Sequence, residues 1–249
     1  MAAHYDSIAQ KYKKFKESPF CLHVETYTYL NFIGDISGKS ILDLACGEGF
    51  YTRKLKQKGA ARIVGVDISE KMIELAKLSE EKEPLGIEYI VSDAQQIGTI
   101  GSFDLVVASY LLNYAQTKDQ LLKMCQSIAA NLKPGGRFVS INNNPELPAE
   151  FYAQPKSEKY GVVTSINAPL QEGSSINLKL KIPGTSDQVS IDIYYFSKAT
   201  YEWAFQSVGF KDIRWHQPIV SPEGVQEFGL EFWQDFIDYP SIVCIECLN

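Results

Sequence analysis

The sequence predicts an α/β fold, a mostly parallel sheet with helices on both faces, and three observations carry that prediction. Residues 40–45, SILDLA, read as a buried strand that breaks at Cys46-Gly47-Glu48-Gly49 and resumes as a helix from about Phe50. A strand, a glycine turn and a helix in that order place backbone N–H groups and a helix N-terminus at the carboxyl end of a strand. The second observation is Asp67, which ends the next apolar run, RIVGVD, eighteen residues after Gly49. The third is the continuous apolar run at 103–109, FDLVVAS, which suits a strand covered on both faces.

The glycine turn and the acid also describe a ligand. A Cβ in the turn would hold a ligand away from the backbone, and glycine removes it. An acid about 20 residues beyond such a turn accepts hydrogen bonds from both hydroxyls of a ribose. Together they describe an adenosine group held across parallel strands. A dinucleotide fingerprint carries a third glycine for close helix–strand packing, and here Thr52 stands in its place.

The remaining elements follow in order. Residues 5–31 are helical in pattern, interrupted at Ser18-Pro19, with Tyr5, Ile8, Ala9, Tyr12 and Phe15 on one face. That face is too narrow to make a core of its own, so residues 1–35 are expected to dock as an N-terminal helical lid. Ser69 is a good N-cap for a helix over 70–79. Residues 87–91 read as the third strand, with Ser92-Asp93-Ala94 at its end, and Tyr110-Leu111-Leu112-Asn113-Tyr114 follows the fourth. An amphipathic helix over 119–132 leads through Pro134-Gly135-Gly136 into a fifth strand at 137–142. Asn142-Asn143-Asn144-Pro145 ends that strand at the ligand edge, where its amides either bind substrate or form the turn.

Residues 146–196 are too many for a simple crossover. Strand patterns at 160–168, 175–182 and 189–196, with turns at Glu172-Gly173 and Pro183-Gly184, predict an antiparallel β flap inserted after strand 5 and lying over the pocket. Its aromatics Tyr152, Tyr160, Tyr194, Tyr195 and Phe196 fit a flap core, with one or two touching substrate. A helix over 199–208 is capped by Gly209. Strands at 210–216 and 241–248 flank a helical stretch at 227–239 that carries Phe228, Phe232, Trp233 and Phe236 as core.

Four motifs in this order, ILDLACGEG, VDIS, SDA and LKPGGRF, resemble those of class I S-adenosylmethionine-dependent methyltransferases, small-molecule branch. The resemblance covers residues 5–138, and TYEWAFQSVGFKDI near the end resembles the family's penultimate helix and strand. It implies a Rossmann-like seven-stranded, mostly parallel sheet whose last two strands form an antiparallel hairpin, with S-adenosyl-L-methionine as cofactor. The cofactor set it implies is Tyr5, Tyr12, Asp43, Ala45, Cys46, Gly47, Gly49, Asp67, Ile68, Ser92, Asp93, Ala94, Ser109 and Tyr110. Within that set Asp43 lies beneath the methionine end and organises the turn, and Ile68 packs on the adenine. Asp93 accepts from the exocyclic amine, the Ala94 N–H reaches a ring nitrogen, and the Ser109 carbonyl faces the cofactor ammonium. Tyr5 and Tyr12 either close over the methionine end or pack the helix onto the sheet. Tyr110, Asn113, Asn142, Tyr152 and Tyr195 are the expected substrate contacts.

The family's chemistry needs a nucleophile held in line and water excluded. No residue announces itself as a general base; Tyr12, His23 and Asn142 are the candidates, and a lone histidine such as His23 is as readily structural. The expected reaction is methyl transfer to a nitrogen or oxygen of a small metabolite. The alternatives are a nucleic-acid or protein methyltransferase and a nicotinamide-dependent oxidoreductase. Ser109-Tyr110-Leu111-Leu112 departs from the Asp/Asn-Pro-Pro-aromatic pattern of enzymes that methylate adenine in nucleic acid.

Length and composition agree with a single domain over 1–249. A net charge of −6 disfavours a phosphate backbone as partner, because that affinity needs clustered Lys and Arg. The basic run KYKKFK at 11–16 reads as a solvated helix face. Five scattered cysteines give no disulfide framework, and Cys244 and Cys247, three apart on a strand, point to opposite faces. The expectations are a cytoplasmic protein, monomer or homodimer, with a small-molecule substrate and no metal, nucleic-acid or membrane partner.

Overall fold

The computed structural model describes residues 2–153, 156–167 and 169–248, with side chains from Ile8 onward apart from Ala149 and Ala153. Strands β1 (Ser40–Leu44), β2 (Arg62–Asp67), β3 (Glu88–Val91), β4 (Phe103–Ser109) and β5 (Leu132–Asn143) join β9 (Asp212–His216) and β10 (Ile242–Leu248) in one seven-stranded sheet. The strand order is β3-β2-β1-β4-β5-β10-β9. β10 runs antiparallel to both β5 and β9 while the other pairings are parallel, as the resemblance implies. A separate antiparallel sheet, β6 (Val162–Ile166), β7 (Ser175–Lys181) and β8 (Gln188–Tyr194), is the insertion after β5.

Strand alternation sorts the core onto two faces. Leu42, Leu44, Val64 and Val66 face one cluster, covered by α5 (Lys118–Ala130) and α7 (Lys198–Ser207). Ile41 and Ile63 face the other, covered by α3 (Phe50–Gln57), α4 (Glu70–Lys82), the N-terminal helices and the flap. The first N-terminal helix, α1 (Ala2–Phe15), buries Ala9 against Met72 and Leu75 of α4. After the turn at Ser18, a π-helical segment (Cys21–Thr26) runs into α2 (Tyr27–Ile33). Cys21, Val24, Tyr29 and Ile33 there are fully buried.

Three details depart from the expected outline. The Pro134-Gly135-Gly136 turn lies inside β5, taken up as a register shift against β4 between Phe103 and Leu105. The helix expected over 227–239 is two helices, α8 (Pro222–Phe228) and α9 (Leu230–Asp238), broken at Gly229 with φ of 80°. The basic run is not uniformly solvated: Lys16 is buried and ion-paired with Glu25. Between β5 and β6 lie α6 (Ala149–Ala153) and a 3-10 turn (Lys156–Tyr160). Tyr160 stacks on Trp233 at 5.3 Å, and its hydroxyl donates to the Phe232 carbonyl, tying the root of the flap to α9. Cys244 and Cys247 are free, buried and on opposite faces.

Gly65 shows how tightly β2 is packed beneath the glycine turn. A Cβ there would lie 2.8 Å from the Tyr89 ring and 3.0 Å from Cys46 Sγ. Gly65→Ala is expected to cost about 1–3 kcal/mol in urea unfolding. Adding Tyr89→Ala, which clears that space, should make the double variant lose less than the sum of the two single losses.

Candidate active site

The carboxyl ends of β1, β2 and β4 open onto a cavity of about 240 Å³. Its walls include Tyr12, Ala45, Gly47, Asp67, Ile68, Ser92, Asp93, Ala94, Ser109 and Tyr110, all named from the sequence. Asp43, Cys46 and Gly49 are not among its lining residues, and the side chain of Tyr5 is outside the described residues. Leu111 and Tyr114, from the stretch that follows β4, also line it, and Gln116, Gln120 and Met124 do so without having been anticipated.

Backbone strain gathers at this edge. Among the described residues, the non-glycine residues with positive φ are Ala45 at 59° and Tyr110 at 60°, at the ends of β1 and β4. Such conformations persist where the surroundings over-determine them, and functional sites are where they cluster. Gly47, φ 57°, has nothing within 4 Å of where a Cβ would stand, so a ligand can lie against its peptide. Gly49, φ 85°, is glycine for a different reason: a Cβ would collide with the Tyr89 hydroxyl.

Two carboxylates shape the turn. Asp67 accepts from the Gly47 amide at 2.8 Å and from the Ser69 amide at 2.9 Å. Beneath the turn, buried Asp43 accepts from the Thr52 hydroxyl at 2.7 Å, which gives Thr52 its place where a dinucleotide site has glycine. Burial pushes Asp43 up to about 7; the Thr52 bond opposes that rise and the charge of Asp67 adds to it. The Asp93 carboxylate accepts from the Gln95 amide in a local turn while lining the cavity.

A second cavity of about 70 Å³ lies between the flap and the sheet edge and shares Tyr12, Tyr110 and Tyr114 with the first. Its wall is mainly apolar and includes Tyr152 and Asn113. Tyr195 faces a small adjoining pocket with Asn113 and Tyr152. Asn142 does not reach either cavity. Ile141 faces the flap side, so Asn142 points to the opposite face with Val243, next to Tyr201, and Asn143 lines the cavity in its place. His23 is also away from the site. Its Nδ1 is 3.0 Å from Ser221 Oγ, its Nε2 is 3.4 Å from Glu227, and Gly224 packs on its ring, so it bolts the π segment to α8.

The junction of the two cavities holds a cluster that the sequence reading missed. Glu25, 2% exposed, is ion-paired with Lys16 and accepts from Tyr51 at 2.5 Å and Tyr110 at 2.8 Å. The Lys16 ammonium sits 5.1–5.5 Å from the ring centres of Tyr12, Tyr51 and Tyr110. Burial, the largest single effect, pulls Lys16 down, yet Glu25 together with Tyr12, Tyr51 and Cys21 outweighs it and holds the amine well above its ordinary value. Burial raises Tyr12 to about 12, against the opposing pull of Lys16. The one available signal was that Glu25 is the only acid between Pro19 and Gly34. Among the described residues no group of three or more His, Cys, Asp or Glu could hold a metal ion, and no helix is long and apolar enough to cross a membrane.

Residues 41–136 match the family model described as a methyltransferase domain. The chain is 39% identical over 121 residues to a demethylmenaquinone methyltransferase of Lactococcus lactis, covering 47% of each chain. It is 35% identical over 112 residues to a ubiquinone biosynthesis O-methyltransferase of Coxiella burnetii, covering 44% of this chain and 46% of that one. The chain thus spans just under half the length of these curated relatives. The fold is shared with an S-adenosylmethionine-dependent methyltransferase from Mesorhizobium loti, at TM-score 0.65, 18% identity and coverage of 94% and 100%.

Asp43 gives a pH test. Its folded pKa, about 7, lies above its unfolded value, so the stability contributed by its protonated form is full below about pH 4 and is lost as pH rises through 7. Wild type should therefore lose stability relative to Asp43→Asn, on the order of 4 kcal/mol between pH 4 and pH 8. Urea unfolding of both proteins across that range measures it, and parallel pH profiles would contradict the assignment.

Proposed function

We propose that this chain transfers a methyl group from S-adenosylmethionine to a nitrogen or oxygen of a small molecule, a reading that the match of residues 41–136 to a methyltransferase domain supports. The observation that carries the proposal is the cavity framed by the glycine turn, Asp67 and the strained ends of β1 and β4. Its residues fit the cofactor. Gly47 leaves an open cradle, the Asp67 carboxylate stands in the wall for the ribose, and the buried Ser109 hydroxyl has no partner among the described residues. Ile68, Asp93 and Ala94 line the same wall for the adenine. The names of the curated relatives, one citing demethylmenaquinone and the other ubiquinone biosynthesis, support a small-molecule acceptor.

The bound cofactor supplies an electrophilic methyl group. The chain's task is to present the acceptor in line and dry. Tyr12, Tyr110 and Tyr114 line both cavities, so an acceptor under the flap meets the cofactor cavity at these rings. Glu25 is the carboxylate in the flap-cavity wall and is joined to the Tyr110 hydroxyl, which makes it the group to receive a proton leaving the acceptor. An amine or heteroaromatic nitrogen asks less of such a proton acceptor than an aliphatic hydroxyl does. Residues 1–35 enter as a lid at α1, which is held to the flap and the turn by Lys11–Asp187 and Lys13–Glu48. Residues 146–196 act as a cover over the acceptor.

Incubating the chain with methyl-labelled S-adenosylmethionine and a panel of amines, N-heterocycles and phenols tests the reaction; labelled product is the expected outcome, and no transfer to any of them would count against it. Asp67→Ala should weaken S-adenosylhomocysteine binding by about 2–3 kcal/mol, roughly 30- to 150-fold, and a dissociation constant within twofold of wild type would remove Asp67 from the site. Hydrogen exchange over residues 8–15 should slow when S-adenosylhomocysteine binds; equal exchange in both states would make α1 permanent scaffold.

A further inference from the structure

Resting on the methyl-transfer reading, we infer that the flap cavity selects a flat, largely apolar ring whose edge carries a hydrogen-bond donor beside an acceptor, read by the side-chain amide of Asn113. Asn113 sits in the 3-10 turn Leu112–Tyr114 that leaves β4, is 2% exposed, and lines the cavity. Neither its Oδ1 nor its Nδ2 has a hydrogen-bond partner among the described residues. A buried side-chain amide with both ends unpaired is rare, because water has been removed from it and nothing has replaced it. Asn143 Nδ2, in the same wall, is unpaired as well.

The chemistry of the missing partner follows from the amide. Its carbonyl needs a donor and its NH2 needs an acceptor, side by side in one plane. A lactam or a similar ring N–H next to a carbonyl satisfies both at once, while a phenol offers a single hydroxyl and leaves one amide atom orphaned. The rest of the wall asks for a flat apolar body. Phe15, Phe151, Tyr152 and Tyr114 surround the space, with Ile176 and Ile191 of the flap above. A site built to hydrogen-bond a ligand group rejects the isostere that lacks it, because the site's own polar atoms then stay unpaired.

The probes are quinolin-2(1H)-one, which carries the donor–acceptor edge, and 2-naphthol, of nearly the same shape without it. Calorimetric titration of each into the full chain, with and without saturating S-adenosylhomocysteine, should show the quinolinone binding at least about tenfold more tightly. Asn113→Leu should bring the two affinities within about twofold while S-adenosylhomocysteine still binds as in wild type. Equal affinities in wild type, no binding of either probe, or a preference that survives in Asn113→Leu would overturn the inference. A wild-type chain that prefers the quinolinone yet fails to bind S-adenosylhomocysteine would uphold the selectivity and overturn the methyltransferase reading. The wild-type ratio decides the matter even if the variant does not fold.

Discussion

The Asp67 carboxylate takes one amide from the glycine turn, Gly47, and one from the start of the next helix, Ser69, at 2.8 and 2.9 Å. Its own main-chain carbonyl accepts from Ser92 at the exit of β3. Three strand exits are therefore fixed to one residue before any ligand arrives. Ser69 in turn caps α4 by accepting from the Met72 amide, and Met72 lines the cavity floor near Ala9 of α1. A ligand held by Asp67 meets a site whose turn, helix start and third strand are already in register. Preorganisation of this kind lowers the ordering cost of binding.

The second fixed point is the Lys16–Glu25 pair. Both ions are buried, and removing one partner of such a pair is strongly destabilising, on the order of 3–5 kcal/mol, because the other is left uncompensated. The ion pairs that hold the rest of α1 involve exposed lysines and are worth about 0–1 kcal/mol each. α1 is thus followed at its carboxyl end by a buried ion pair, and along its length it is held by exposed ion pairs and by the packing of Ala9 on α4.

The strand–turn–helix core and its ligand wall were legible because the physics there is local. SILDLACGEG sets a buried strand and a positive-φ turn within ten residues, and the acid at Asp67 lies one strand further on. The flap was legible from alternation and turn residues alone. Asn142 was misplaced because NNN carries no polarity alternation, so parity depended on how β5 absorbs Pro134-Gly135-Gly136. Glu25 was missed because its partners, Lys16, Tyr51 and Tyr110, come from three separate elements and meet only in the folded chain. His23 carried a chemistry-bearing side chain without a site, since its partners Ser221 and Glu227 lie some 200 residues away.

The cavity as proposed suits the adenosine and methionine ends of one cofactor and not a dinucleotide. Thr52 fills the place where a pyrophosphate-binding turn needs glycine, and its hydroxyl is committed to Asp43. Parallel calorimetric titrations of the wild-type chain with S-adenosylhomocysteine and with NAD test this most directly. The account predicts one-to-one binding of S-adenosylhomocysteine and no measurable heat with NAD. Saturable NAD binding in the absence of S-adenosylhomocysteine binding would contradict it.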